Sequence, residues 1–141
     1  MSFATSVRVY IEDTDAGGIV YYVNYLKFME RARTEFMRAN GYSKTAIFSD
    51  DKMFVVHSAN VKYLGAAWLD DSLTVTAKPI KIAHSNIVFE QCVLRGEDML
   101  CRGEIKIACI DQQSRRPCAM PKAMYDQLKT IEYKATENRV R

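Results

Sequence analysis

The chain has 141 residues, of which 48% are hydrophobic, with 20 basic and 17 acidic side chains. This length favours one domain, and the composition is typical of a soluble globular protein rather than an extended disordered one. The net charge of +3, without a run of Lys or Arg, gives no reason to expect a nucleic-acid partner. No window approaches the roughly 20 apolar residues of a membrane span. We also expect no secretory signal and a cytoplasmic location.

Periodicity predicts a strand and then one long helix. Apolar and polar residues alternate over 6–11, as in a half-buried strand. Its predicted inner positions are Val7, Val9 and Ile11. From about 23 to 40 the apolar residues recur at helical spacing, and Gly41 supplies a C-terminal stop. The predicted buried positions of this helix are Tyr25, Phe28, Met29, Ala32, Phe36 and Ala39.

Four strands are predicted after the helix, where a period of two holds over 53–64, 72–82, 86–95 and 99–110. In the last strand, the predicted inner positions are Met99, Cys101, Ile105, Ile107 and Cys109. Short separators favour antiparallel neighbours, and Pro79 predicts a bulge or an edge position. A short helix is predicted at 122–129, whereas 132–141 has little to bury and is expected to fray. The sequence thus predicts an α+β domain over 1–131, with one helix against an antiparallel sheet.

The cysteines and histidines give no sign of a metal site. Cys92, Cys101, Cys109 and Cys118 lack C-x-x-C spacing, so we expect buried, reduced thiols. His57 and His84 add no cluster of ligands. We therefore expect neither a metal nor a cofactor.

The loop at 12–18 is the first candidate for chemistry. It combines three carboxylates with two adjacent glycines, a composition suited to an irregular backbone. Asp13 and Asp15 lie just ahead of the predicted helix, where unpaired backbone N–H groups can hold an oxyanion. A carboxylate there can attack a carbonyl carbon or activate water. On residue type alone, helix capping or loop closure stays open as the role of both aspartates.

A longer pattern surrounds this loop. The run VYIEDTDAGGIVYY at 9–22 continues without a gap through Tyr25 to ERARTE at 30–35. It resembles the signature of the Tol-Pal-associated acyl-CoA thioesterases, which belong to the 4-hydroxybenzoyl-CoA thioesterase-like hotdog superfamily. The likeness extends, with weaker patterning, to about Lys129. It implies a hotdog fold, in which a five-stranded antiparallel sheet wraps around one long central helix, and a thioester hydrolase of lipid metabolism.

The resemblance also implies the roles of single residues. Asp15 is the implied catalytic residue, as nucleophile or general base, while Asp13 is structural. A backbone N–H near Tyr22 is implied to polarise the thioester carbonyl. The substrate-binding candidates are Gly18, Tyr21, Tyr22 and Tyr25, with core packing as the alternative role of Tyr21 and Tyr25. Many family members carry histidine where this chain has Tyr22, which puts imidazole chemistry in doubt but leaves a backbone donor in place.

The implied partners are an acyl-CoA substrate, an acyl carrier protein as an alternative carrier, and further copies of the chain. Dimers or tetramers with the active site between subunits are implied by the resemblance, and an open sheet edge also favours self-association. On the helix, the spacing of Glu30 and Arg33 predicts an ordinary ion pair rather than a catalytic role.

Three other functions compete with thioester hydrolysis. A strand ending in D-T-D is also found in magnesium-dependent phosphatases of the haloacid dehalogenase type, but that fold needs parallel strands with intervening helices. A hotdog dehydratase pairs a histidine with an acid, and neither His57 nor His84 falls in the motif. A non-enzymatic acyl-binding scaffold, using the same pocket without turnover, stays open.

Overall fold

The computed structural model describes residues 3–42 and 51–133. The helices and strands are β1 (Phe3–Arg8), α1 (Asn24–Ala39), β2 (Lys52–Tyr63), β3 (Ser72–Ile82), β4 (Asn86–Arg95), β5 (Asp98–Asp111) and α2 (Lys122–Lys129). The strands form one sheet in the order β1-β3-β4-β5-β2, and each is antiparallel to its neighbours. α1 packs against β1, β3 and β4. The predicted α+β architecture, with one long helix on a five-stranded antiparallel sheet, is confirmed.

The inner face of α1 forms the centre of the core. Phe28, Met29 and Ala32 are fully buried, because a stripe at helical spacing faces the sheet. The ring of Phe36 lies edge-on to that of Phe89 on β4, with the centroids 5.6 Å apart. Truncating a buried aromatic side chain of this kind to alanine costs about 3–5 kcal/mol. The predicted buried stripe is therefore confirmed except at its last member, Ala39, which is exposed at the end of the helix.

The first strand is displaced from its predicted position. It spans Phe3–Arg8 rather than 6–11, and a short 3-10 helix follows at Ile11–Asp13. This turn forms because the backbone N–H of Tyr10 donates to Oδ2 of Asp13 at 2.9 Å. Ile11 is 76% exposed, so its predicted inner position is wrong, whereas the other two inner positions are buried.

Three bulges interrupt the pairing of the strands. One lies in β2 between Val56 and Ser58. Another lies between Pro79 and Lys81, which confirms the predicted bulge at a point beyond Ala77, where the described pairing of β3 with β1 ends. The third lies in the pairing of β4 with β5 after Val93. Because of that extra residue, Leu100 points into the core at 3% exposure while Met99 is 36% exposed. The predicted inner position of Met99 is therefore wrong.

The predicted second helix is confirmed as α2, which packs against β3. After it, a carboxylate oxygen of Glu132 accepts the N–H of Ile82 at 2.6 Å, and the N–H of Tyr133 donates to the carbonyl of Pro79 at 2.8 Å. The segment predicted to fray thus begins with two residues bonded to β3, and 134–141 lie outside the described residues. Neither helix in the described ranges has the length and apolarity needed to cross a membrane.

A buried polar network joins α1 to the sheet. Arg33 is 8% exposed, and its Nη1 donates to Oε1 of the fully buried Gln91 at 2.9 Å. Nε2 of Gln91 donates to the carbonyls of Met29 on α1 and Thr76 on β3. Burial lowers the pKa of Arg33 to about 10, and the nearby charge of Glu30 opposes this shift. Within the described residues no Glu30–Arg33 ion pair forms, so that prediction is wrong.

We expect Gln91→Leu to lower the free energy of unfolding by about 3 kcal/mol, because it removes the acceptor of the buried Arg33 guanidinium and the side-chain donor shared by the carbonyls of Met29 and Thr76. Urea denaturation of the purified protein measures this loss. The double variant Arg33→Met/Gln91→Leu serves as the control and should recover part of the stability, since it also removes the buried charge. A single-variant loss below about 1 kcal/mol would show that the network contributes little.

Candidate active site

Asp15 is the first residue of a tight turn that is held by hydrogen bonds between its own residues. Thr14 and Val20 pair across an isolated antiparallel bridge. Inside that bridge, the N–H of Asp15 donates to the carbonyl of Ile19, and the N–H of Gly18 donates to the carbonyl of Asp15, each at 3.0 Å. The backbone at Asp15 is therefore fixed by hydrogen bonds within five residues of chain.

The carboxylate of Asp15 is exposed at the surface of this turn. Its Oδ1 accepts the N–H of Gly17 at 2.9 Å, while Oδ2 has no hydrogen-bond donor among the residues that the structure describes. A Cβ at position 17 would lie 3.3 Å from Oδ1, so a larger residue would crowd the carboxylate. Gly18 has a φ of +80°, which other residues adopt only with strain. The two glycines thus shape the turn and leave one oxygen of Asp15 available.

Asp13, two residues earlier, is in different surroundings. Its side chain is 6% exposed, and the carboxylate that accepts the Tyr10 N–H is held inside the loop. Its carbonyl accepts the N–H of Tyr21 at 3.0 Å and the side-chain amide of Asn24 at 2.8 Å. Asp13 therefore ties the loop to the first residue of α1, which is a structural role.

The start of α1 presents free backbone donors. The preceding residue, Val23, caps the helix with helical backbone angles and no side-chain hydrogen bond. The N–H of Asn24 donates to the carbonyl of Tyr21 at 2.8 Å. Among residues 3–42 and 51–133, neither the Tyr22 nor the Val23 N–H donates a hydrogen bond. Both amides are thus available to a ligand oxygen, with the positive end of the helix dipole behind them.

Aromatic rings surround this helix start. Tyr21 and Tyr22 are about half exposed, with ring centroids 5.1 Å apart. The ring of Tyr63, at the end of β2, lies 5.6 Å from that of Tyr22 and 5.8 Å from that of Tyr25. Tyr25 is buried, and its hydroxyl accepts the N–H of Ala67 at 3.0 Å. The three predicted tyrosines therefore lie together. Tyr25 is packed in the interior, whereas Tyr21 and Tyr22 are accessible to solvent.

Two aromatic residues of this region were missed by sequence reasoning. Tyr63 completes the ring cluster, and burial raises its pKa above the ordinary value, so it remains a neutral phenol near pH 7. Trp68 is 51% exposed and pairs with Ile19 across an isolated bridge. The pairing of β2 with β5 brings Tyr63 to the tyrosines at the helix start, and the bridge to Ile19 brings Trp68 to the Asp15 turn. The local sequence around either residue carries no signal for these contacts.

A groove runs from the helix start toward β2. Its cavity has a volume of about 210 Å³ and extends beside α1 from Val23 to Arg33. The lining residues are Val23, Leu26, Lys27, Glu30, Arg33, Val56, Ala59 and Ile105. The walls near Val23 and Leu26 are apolar, and the charged residues lie farther along the helix. Such a groove can hold an acyl chain whose carbonyl lies at the helix start.

Neither histidine contacts the Asp15 carboxylate or the tyrosine rings among the described residues. His84 stacks on Tyr125, with a centroid separation of 4.3 Å, at the turn between β3 and β4. His57 lies exposed on β2. Within the described ranges, no three His, Cys, Asp or Glu side chains converge as metal ligands. The acid-and-histidine pair that a hotdog dehydratase requires is therefore not assembled around Asp15.

Comparison with known proteins places these features in a family. Residues 9–128 match the model of the thioesterase-like superfamily. The acyl-CoA thioesterase YbgC of Haemophilus influenzae is 41% identical over 121 residues, which cover 85% of this chain and 89% of that protein. The acyl-CoA thioester hydrolase YbgC of Escherichia coli is 38% identical over 128 residues, which cover 90% of this chain and 96% of that protein.

Solved structures give the same result for the fold. A probable thioesterase from Bartonella henselae superposes with a TM-score of 0.78 at 32% identity, over 86% of this chain and 99% of that one. A 1,4-dihydroxy-2-naphthoyl-CoA thioesterase from Synechocystis superposes with a TM-score of 0.83, over 94% of this chain and 99% of that one. Its sequence identity is 20%, so this second likeness bears on the fold alone.

Proposed function

Since this chain belongs to the thioesterase-like superfamily and has the hotdog fold, we propose that its acyl-CoA thioesterase activity depends on the Asp15 turn and the start of α1. The chain is a thioester hydrolase, with relatives named for that activity at 38% and 41% identity. It converts an acyl-CoA and water into a carboxylic acid and coenzyme A. The proposal concerns which groups of this chain perform the reaction.

Asp15 is proposed as the catalytic carboxylate. The observation that carries this proposal is the exposed Asp15 carboxylate, which stands on a turn closed by hydrogen bonds, a few residues ahead of α1 in sequence. Within the described residues, one of its oxygens accepts no hydrogen bond and the amides of Tyr22 and Val23 donate none. In one route it attacks the thioester carbon, expels coenzyme A as the thiol and leaves a mixed anhydride that water hydrolyses. In the other it takes a proton from water, which attacks the same carbon. Both routes need the ionised form of Asp15.

The amide of Tyr22, with that of Val23 beside it, is proposed to hold the thioester oxygen. Negative charge develops on this oxygen when the carbonyl carbon becomes tetrahedral, and a fixed donor stabilises it by about 3 kcal/mol. Neither amide donates another hydrogen bond within the described residues, so binding the thioester oxygen breaks no existing hydrogen bond there. Tyr21, Tyr22, Tyr25 and Gly18 remain the proposed substrate-binding residues, with Tyr63 added to that set.

The groove along α1 is proposed to receive the acyl chain. It begins at Val23, next to the proposed oxyanion donors, and its first part is apolar. Desolvation of an alkyl or aryl group there contributes about 25 cal/mol for each Å² removed from water. The charged stretch around Glu30 and Arg33 then lies at the far end of the substrate.

A dimer or tetramer with the active site between subunits is also proposed. β2 is an edge strand of 12 residues, and its stretch 56–60 is exposed on both faces. Long unpaired edges favour pairing with another strand. A second β2 laid along this edge would cover Val56 and close the open side of the groove.

Three finer assignments are proposed because residues 9–35 resemble the signature of the Tol-Pal-associated acyl-CoA thioesterases. They are the Tol-Pal branch of the superfamily, a cytoplasmic location and acyl carrier protein as an alternative carrier. Adjacent genes for Tol-Pal envelope proteins would support the first, and cell fractionation tests the second. Hydrolysis rates on acyl-CoA and on acyl carrier protein bearing the same acyl group decide the third.

We expect Asp15→Asn to reduce hydrolysis by at least about 100-fold, because the amide neither attacks nor takes a proton. Thiol release from short, long and aromatic acyl-CoA substrates measures the rate. Asp13→Asn is the matched control and should keep most activity, since Asn can still accept the Tyr10 N–H. Turnover near wild type in a folded Asp15→Asn variant would refute the assignment.

We expect Tyr22→Phe to change kcat by less than about threefold, because it keeps the backbone N–H that the proposal uses. Steady-state thiol release gives kcat and KM separately. A fall in kcat comparable to that of Asp15→Asn would show instead that the Tyr22 hydroxyl takes part in the chemistry.

We expect Val56→Lys to lower the oligomeric state and the activity together, because a charge on the open edge opposes its pairing. Size-exclusion chromatography with light scattering measures the mass. Gln113→Lys adds the same charge in the exposed turn after β5 and should leave the mass unchanged. A monomeric wild-type chain with full activity would remove the second copy from the proposal.

A further inference from the structure

Cys109 and Cys118 face each other at the end of the sheet opposite the Asp15 turn. Cys118 donates its backbone N–H to the carbonyl of Cys109 at 2.9 Å, and Ile110 pairs with Pro117 across an isolated bridge. The two cysteines therefore lie directly opposite in an antiparallel ladder, where facing side chains share one side. Cys101, which pairs with Tyr63 near the aromatic cluster, lies eight residues earlier on β5, roughly 26 Å away at about 3.3 Å per residue.

The two sulfur atoms are in contact. The distance between the Sγ atoms of Cys109 and Cys118 is 3.6 Å, and both thiols are reduced. A disulfide bond is about 2.05 Å long, so the sulfurs need to approach by about 1.5 Å. Small rotations of the two side chains provide this movement, because the backbone ladder already holds the residues opposite each other.

The two thiols differ in access to solvent. Cys109 is fully buried, whereas Cys118 is partly exposed. Burial, with the contact to Cys118 as the next cause, raises the pKa of Cys109 to about 12. Cys109 is therefore protonated near neutral pH, and an oxidant in solution reaches Cys118 first.

We propose that Cys109 and Cys118 form an oxidation site, which hydroperoxides convert to an intramolecular disulfide. The Cys118 sulfur attacks the peroxide oxygen and becomes a sulfenic acid, with release of one water or alcohol. The Cys109 sulfur then attacks the sulfenic sulfur, forms the S–S bond and releases water. Two thiols are oxidised by two electrons, and one peroxide is reduced. A dithiol reductant reverses the modification.

The other two cysteines cannot form such a pair with each other. Cys92 lies opposite Arg102 in the pairing of β4 with β5, and Cys101 lies opposite Val93. Neighbouring positions on a strand point to opposite faces, so Cys92 is on the outer face and Cys101 is in the core. This pair is an internal control within the same sheet.

The disulfide would fasten the connection between β5 and α2. This connection is held to the β3–β4 turn by the Cys109 N–H, which donates to the carbonyl of Ser85, and by the Met120 N–H, which donates to that of His84. Closing the loop from 109 to 118 restricts the unfolded chain, so the melting temperature should rise. The site is far from Asp15, so the rate of thioester hydrolysis should stay the same.

The test compares the full reduced chain with the chain treated with hydrogen peroxide. Trypsin cuts after Arg115, so the reduced cysteines fall in two peptides, 107–115 and 116–122. Oxidation should join these peptides into one, lighter by two hydrogen atoms than their sum, and separable by dithiothreitol. The melting temperature should rise by about 5 °C and return after reduction.

Two variants complete the test. Cys118→Ser should lose both the joined peptide and the rise in melting temperature, whereas Cys92→Ser should keep both. Overturning results are a peroxide-treated wild type with only separate or over-oxidised peptides, a bond formed between two chains, or the same rise in melting temperature in Cys118→Ser. Because none of these readouts uses turnover, a failed thioesterase assignment for Asp15 would leave this result unaffected.

Discussion

The packing of α1 on the sheet depends on the buried hydrogen bonds of Gln91. Burial of apolar surface is not directional, and a helix with a wide apolar face can turn or slide with little loss. Gln91 removes that freedom, because its side-chain amide bonds to Met29 on the helix and Thr76 on β3, and its oxygen accepts from Arg33. Any other rotation of α1 leaves buried donors and acceptors unpaired. The direction of the free amides at the helix start follows from this network.

The two aspartates of the loop show that residues of one type, two positions apart, can lie in very different surroundings. Asp13 is enclosed and bonds to the N–H of Tyr10, while its carbonyl holds Tyr21 and Asn24. Asp15 is exposed and keeps one oxygen unbonded within the described residues. A helix-capping role for both aspartates was open on sequence grounds alone. Neither side chain caps α1, because within the described residues the carboxylates accept the N–H groups of Tyr10 and Gly17, which precede the helix.

The helices and four of the strands followed from periodicity, and α1 and β3 to β5 each bury one face along most of their length. In β2 the alternation of residue types was sufficient, although only Phe54 is buried there. The parts that failed depend on contacts between distant positions. Ile11 is exposed because a side chain two residues ahead turns the backbone, and Met99 is exposed because β5 carries an extra residue opposite β4. Arg33 reads as a surface residue by type, yet it is buried because its acceptor lies 58 residues away.

The candidate site was also predicted only in part from the sequence. The motif was sufficient to single out Asp15, Asp13 and the three tyrosines, because these residues are adjacent in sequence. Tyr63 and Trp68 reach the same place only through the pairing of β2 with β5 and through the bridge to Ile19. A single sequence carries no pattern from which these two contacts could be inferred.

The Asp15 turn is closed by main-chain hydrogen bonds between residues 15 and 19, and the groove is lined by side chains of α1, β2 and β5. The two parts share no residue. A substitution of a groove side chain can therefore change the shape of the groove and leave the hydrogen bonds that fix the Asp15 backbone intact.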